Sequence, residues 1–250
     1  MPEELTITSG EATLAAVLAK PPGIARVPAL VLCHGFPQGP GGASSVAATY
    51  PDIAQHLSDL TGWAVLTFTF RGAGKSTGDF SISGWLTDID AVVTWLEARS
   101  DITGVWLAGS ATGAALCIVH AAADTRVRGV ATLAAPATMR HWVDNAPQLL
   151  DHAQRMGVIT TPGFPANVAA WARQFTELDP LAAAAKIPPR PFLVIHGSED
   201  AVVPPESSIA IVDAAGPGTE HRILAGAGHL LRHDPRVIAL LAGWMSRQDR

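Results

Sequence analysis

The chain has one tyrosine, two cysteines and no run of lysine or arginine, and each shortage narrows what it can be. Charged residues make up only 16% and the formal net charge is −5, so there is no electrostatic footprint for a phosphate backbone or an anionic bilayer. Neither nucleic acid nor a membrane is an expected partner. No apolar stretch approaches the roughly 18 residues of a spanning helix. The opening MPEELTITSG is acidic and lacks the basic start and apolar core of an export signal, so a cytoplasmic location is expected. Cys33 sits in strand-like ALVLCHG and Cys117 in helix-like AALCIVHAAA, where each reads as a small buried apolar side chain rather than half of a disulfide or metal pair.

Apolar material is abundant. Hydrophobic residues are 48% of 250, enough for one large α/β unit, and no composition break divides the chain, so 1–250 reads as a single domain. ALVLCHG (29–35), WAVLTFTF (63–70), GVWLAG (104–109), VRGVATLAA (127–135) and PFLVIHG (191–197) are nearly continuous apolar runs, as expected of strands covered on both faces. Helix-period segments fall between them at about 45–60, 82–99, 112–123 and 205–215, with a last one beginning near Leu230. LTITSG and EATLAAVLAK read as an N-terminal hairpin turning at Gly10. The alternation predicts a mostly parallel, doubly covered sheet of about eight strands. Between Ala135 and Leu178 the rhythm breaks, and 136–177 reads as a small helical cap inserted in the domain.

Two patterns mislead. RGAGKST (71–77) contains GKS, but a phosphate loop needs glycine where Thr69 stands, so a glycine-rich turn after a strand is the better reading. Asp88 and Asp90 flank Ile89 and hint at a metal; with no partner cluster visible in sequence, they read as a solvated helix face, and no metal is expected. His56, His120, His141, His152, His196, His221 and His233 read as structural or solvent-facing, and the scattered tryptophans as packing.

The informative pattern is a set of loops at the C-terminal ends of predicted strands, where ligands bind in open α/β sheets. HGFPQG follows Cys33, GSATG follows GVWLA, HGSEDAVVP carries Asp200, and GAGH places His229 late in the chain. That order, with those local sequences, resembles the α/β-hydrolase family over nearly the whole chain, and FRGAGKSTG is similar to the Arg-Gly turn of esterase-like and peptidase-like members. The family's nucleophile elbow is Gly-x-Ser-x-Gly. If Ser110 were the nucleophile, its flanks would be Ala108 and Thr112; if position 111 is the site, the flanks are Gly109 and Gly113. The second register satisfies both glycines and puts no β-branched residue in the crowded turn, so Ala111 stands at the nucleophile position and Ser110 is a bystander.

The resemblance implies that Asp200 orients His229, with Glu199 as the neighbouring alternative, and that the N–H groups of Phe36 and Thr112 form the oxyanion hole. His34 reads as a residue that stabilises the loop beside it. Trp142, Phe164 and Trp171 either pack the cap or line an acyl pocket. The chain therefore reads as a serine hydrolase for carboxylic esters of small-molecule acyl substrates, without a cofactor, in which Ala111 replaces the attacking serine as a deliberate inactivation would leave it. A natural pseudoenzyme that binds a small acyl ligand or a partner, a lyase-like or oxygenase-like member using His229 and Asp200 as a base, and a peptidase or amidase in place of an esterase are the alternatives.

Overall fold

The computed structural model describes residues 2–38 and 41–248. Gly39, which ends the HGFPQG loop, lies outside the described residues, as does the side chain of His141. The N-terminal hairpin is β1 (Glu3–Ser9) and β2 (Ala12–Ala19), and Gly10 adopts φ 58° at its turn. There follow β3 (Val27–Cys33), α1 (Gly42–Ser45), α2 (Tyr50–Thr61), β4 (Ala64–Phe68), α3 (Ile82–Glu97), β5 (Ile102–Ser110), α4 (Thr112–Ala123) and β6 (Val127–Leu133). The rest comprises α5 (Ala146–Arg155), α6 (Val168–Glu177), α7 (Pro180–Ala184), β7 (Phe192–Gly197), α8 (Glu206–Ala215), β8 (Thr219–Leu224) and α9 (Pro235–Met245).

The strands form one eight-stranded sheet in the order β1-β2-β4-β3-β5-β6-β7-β8. β1 with β2 and β2 with β4 are antiparallel; every other pairing is parallel. Alternate residues of β3 show why its sequence is an unbroken apolar run. Ala29, Val31 and Cys33 enter the core beneath α3 and α4, whereas Leu30 and Leu32 enter a second core beneath α2 and α9. The strand order reverses around β3, whose neighbours β4 and β5 follow it in sequence on opposite sides. Pairing of Leu32 with Ala108 and Cys33 with Gly109 brings the loops that leave β3 and β5 side by side at this switch point. No helix among the described residues is long and apolar enough to cross a membrane.

Several expectations are corrected. The segment predicted as one helix over 45–60 is α1, a turn and α2, the latter starting at Tyr50 with Pro51 in its first turn. The last helix starts at Pro235, not near Leu230, because the Asp234 side chain accepts the Arg236 N–H as its N-cap while Leu231–His233 form a short 3₁₀ turn. β8 has no apolar run to betray it: TEHRIL is a half-exposed edge strand that pairs only with β7. Asp88 is not on a solvated face. It is fully buried and accepts hydrogen bonds from Ser9 Oγ (2.7 Å), the Arg71 N–H (2.9 Å), and Arg71 Nε (3.0 Å) and Nη2 (2.7 Å). Asp90 does have companions, His120 and Asp124, but the Arg126 guanidinium bonds both acids, at 2.6 and 2.7 Å, and supplies their countercharge.

Within 136–177, α5 and α6 carry the buried Leu149, Ala153, Trp171 and Phe175 onto the same core as α3. The RGAGKST segment is a turn after β4, with Gly72 at φ 77° and Gly74 at φ 56°. Cys33 and Cys117 are free, buried neighbours, and burial pushes the Cys33 thiol well above the usual range.

Candidate active site

Between β5 and α4 the chain turns through a single residue. Ala111 has φ 48° and ψ −119°, a conformation that non-glycine residues rarely adopt and that needs support from its surroundings. Its N–H donates to Leu133 O (2.8 Å), and its carbonyl accepts the N–H groups of Ala114 (3.0 Å) and Ala115 (3.1 Å). The flanking glycines are sterically required. A Cβ at Gly109 would fall 2.6 Å from the Ala114 nitrogen, and one at Gly113 would fall 2.2 Å from His34 O. The apex of the elbow is therefore Ala111 and not Ser110.

The loop after β3 presses against this apex. A Cβ on Gly35 would lie 3.0 Å from Ser110 O and 3.2 Å from Ala111 Cβ. His34, fully buried, holds the loop from behind: its Nδ1–H donates to Gly35 O (2.7 Å) and its Nε2 accepts the Phe70 N–H (3.1 Å). Burial lowers its pKa to about 4, so at neutral pH the ring is uncharged and can fill both roles. The N–H groups of Phe36 and of Thr112, the first residue of α4, donate to no acceptor among the described residues. Two free donors beside one apex, one of them at a helix N-terminus, form a place where negative charge is favoured.

The acid and the histidine come from the ends of β7 and β8. Asp200, 5% exposed, accepts the N–H groups of Val202 and Val203 at Oδ1, both at 2.9 Å, and His229 Nδ1–H at Oδ2 (2.8 Å). These bonds fix one imidazole tautomer and leave His229 Nε2 with its lone pair free. Glu199 is exposed and takes no part. Gly197 allows the histidine loop to approach, because a Cβ there would lie 2.3 Å from Ala227 O. His196, expected to be structural or solvent-facing, is fully buried with Nε2 2.9 Å from Val203 O and 3.3 Å from Asp200 Oδ2, and its contact with the acid was not foreseen. Its only signal was its place four residues before Asp200 at the end of a strand.

Ala111 and His229 line one cavity of about 410 Å³ together with Gly35, Phe36, Ser110 and Arg232. Trp142, Phe164 and Trp171 are not among its lining residues. Trp142 packs edge-on against the Phe36 ring (5.8 Å between centroids), beside His152, which stacks on that ring at 5.6 Å. Phe164 is half-buried against the core. Trp171 is 3% exposed and its indole N–H donates to Phe80 O (3.0 Å), which makes it a core residue. Sequence reasoning also missed Arg232 and Tyr50 as lining residues, since only the fold carries α2 and the segment after His229 to the elbow.

Comparison with known proteins places this architecture. Protein ABHD12B of Homo sapiens is 29% identical over 224 residues, which cover 82% of this chain and only 58% of that protein, so the chain spans little more than half of this relative. Alpha/beta hydrolase GrgF from Penicillium sp. sh18 superposes with a TM-score of 0.78 at 19% identity, covering 99% of this chain and 98% of that one. Est1E from Butyrivibrio proteoclasticus, solved with ferulic acid bound, superposes at 0.73 with 21% identity and covers 98% and 97%. The alpha/beta hydrolase fold family matches residues 28–178, the stretch from β3 through the elbow to α6, and the chain belongs to that family.

Proposed function

We propose that this chain is a serine-hydrolase scaffold for carboxylic esters in which Ala111 stands in place of the attacking serine, so that it holds an acyl ligand without turning it over. The observation that carries this reading is the strained backbone at Ala111, φ 48°, beside an intact Asp200–His229 pair. A serine side chain at 111 would give its proton to His229 Nε2 as its oxygen attacked the ester carbonyl. The carbonyl oxygen, gaining the electron pair, would lie against the N–H groups of Phe36 and Thr112. His229 would then protonate the departing alcohol, and water activated the same way would release the acid. The Asp200–His229 hydrogen bond and the N–H groups of Phe36 and Thr112, unbonded among the described residues, support this reading. The complex of Est1E with ferulic acid is in keeping with acyl-type ligands on this fold.

The test is Ala111→Ser, assayed with short p-nitrophenyl esters and a fluorophosphonate probe. The variant is expected to hydrolyse and to be labelled, while the parent chain is slower by at least about a thousandfold and unlabelled. A folded variant that does neither ends the hydrolase reading.

A further inference from the structure

The cavity at Ala111 has on its wall an arginine side chain that no acid among the described residues neutralises. Arg232 lies three residues after His229 and lines the cavity with it. The acid nearest to it in sequence, Asp234, is taken by Arg236 at 2.6 Å, and Arg232 makes no ion pair among the described residues. Its Nε is buried without a hydrogen-bond partner. Among the described residues no carboxylate lines the cavity; the acid behind His229, Asp200, is already bonded by Val202, Val203 and His229.

An uncompensated, partly desolvated guanidinium is unfavourable unless a ligand supplies the anion. Tyr50 adds a second polar group to the same wall, a hydroxyl buried beside Ser110 without a hydrogen bond of standard geometry. Phe36, Val46, Val202, Leu230 and Leu231 supply the apolar part of the wall, and Gln38, Ser45 and Ser110 are uncharged polar residues on it. An apolar stretch of wall, a guanidinium fork at one point and two free N–H groups at the elbow describe the outline of an ester with a short apolar chain and one charged end.

Building on the hydrolase reading, we propose that the ligands of this cleft are esters carrying one carboxylate a few bonds from the scissile carbonyl, with that carboxylate held by Arg232. The chain's net charge of −5 repels anions in general, so a preference for them must arise locally.

The unaltered chain, which cannot consume an ester by the serine route, allows equilibrium measurement. Titration calorimetry at fixed ionic strength would compare monomethyl glutarate with dimethyl glutarate, and acetoxyacetate with its methyl ester. The two pairs put the carboxylate on the acyl and on the alcohol side respectively. At least one acid is expected to bind about tenfold or more tightly than its neutral counterpart, and Arg232→Met should abolish that preference while Arg232→Lys keeps part of it. Equal binding of acid and neutral ester in both pairs overturns the proposal, whether or not the Arg232 variants fold. Fluorophosphonate labelling of Ala111→Ser reports on the hydrolase reading separately. A labelled variant with no acid preference removes the carboxylate site alone. An acid preference in a chain whose Ala111→Ser form is never labelled keeps the site and removes the chemistry.

Discussion

At the scale of single residues, the elbow shows how backbone geometry dictates side-chain choice more strictly than chemistry does. Glycine at 113 is imposed by the carbonyls of Cys33 and His34, 2.9 and 2.2 Å from where a Cβ would sit, and neither carbonyl can move without shifting the loop that carries Phe36. Gly113→Ala should therefore destabilise the fold by more than about 2 kcal/mol in urea unfolding, and a loss under half that would mean the loop gives way easily. Position 111 tells the opposite story. Its φ of 48° suits glycine better than alanine, so Ala111→Gly should stabilise by about 1 kcal/mol, seen as a rise in melting temperature. A conformation that a methyl group tolerates only under strain has no packing purpose, which fits a position shaped for a reacting group. This part was legible in sequence because two glycines at fixed spacing record a steric fact. Arg232 was not, because an arginine reveals a missing partner only when the surrounding acids are placed.

Among the elements, α3 is anchored by chemistry that its sequence disguised. Asp88 sits on a helix whose other charged positions face solvent, and its partner Arg71 lies in the turn after β4, so only the packing of that turn against α3 and the end of β1 makes the pair. Trp85 completes the clamp by donating its indole N–H to Arg71 O (3.1 Å). Arg71→Met would leave the buried Asp88 carboxylate without its countercharge and should lower stability by roughly 3–5 kcal/mol. Arg71→Met combined with Asp88→Leu should recover most of that loss, and a double variant no better than the single would show that the pair positions the turn instead of merely balancing charge. The same contrast explains which strands were readable. β3 to β7 are covered on both faces and write their burial into apolar runs, whereas β8 is an edge whose half-exposed residues carry no such record. The tryptophans of 136–177 were ambiguous for a related reason. A large aromatic signals burial but not whether protein or ligand buries it, and for Trp171 the answer is the protein core.

For the whole molecule, the buried imidazole that supports the site also sets a limit on acid stability. His34 lies between the two cores with its ring bonded to Gly35 O and the Phe70 N–H, and burial holds its pKa at about 4 against an ordinary value of 6.5. The unfolded chain therefore takes up a proton there from about pH 6.5 downward, while the folded chain resists until about pH 4. Stability conferred by the neutral ring is complete above 6.5 and is lost as the pH falls through that window, by roughly 3 kcal/mol at pH 4. Burial lowers the pKa of His120 and His221 too, which adds to the loss in the same direction. Asp101, held near 2 by hydrogen bonds from Arg99 and Lys20, contributes only below its ordinary value of 3.8 and leaves the upper window to the histidines. Urea unfolding between pH 7 and pH 4 should show this slope, and His34→Gln, whose amide can still donate to Gly35 O and accept from Phe70, should flatten it by about the same roughly 3 kcal/mol whatever its own stability at pH 7. An unchanged slope in that variant would assign the titration to other groups and leave the neutral His34 ring without its supporting role.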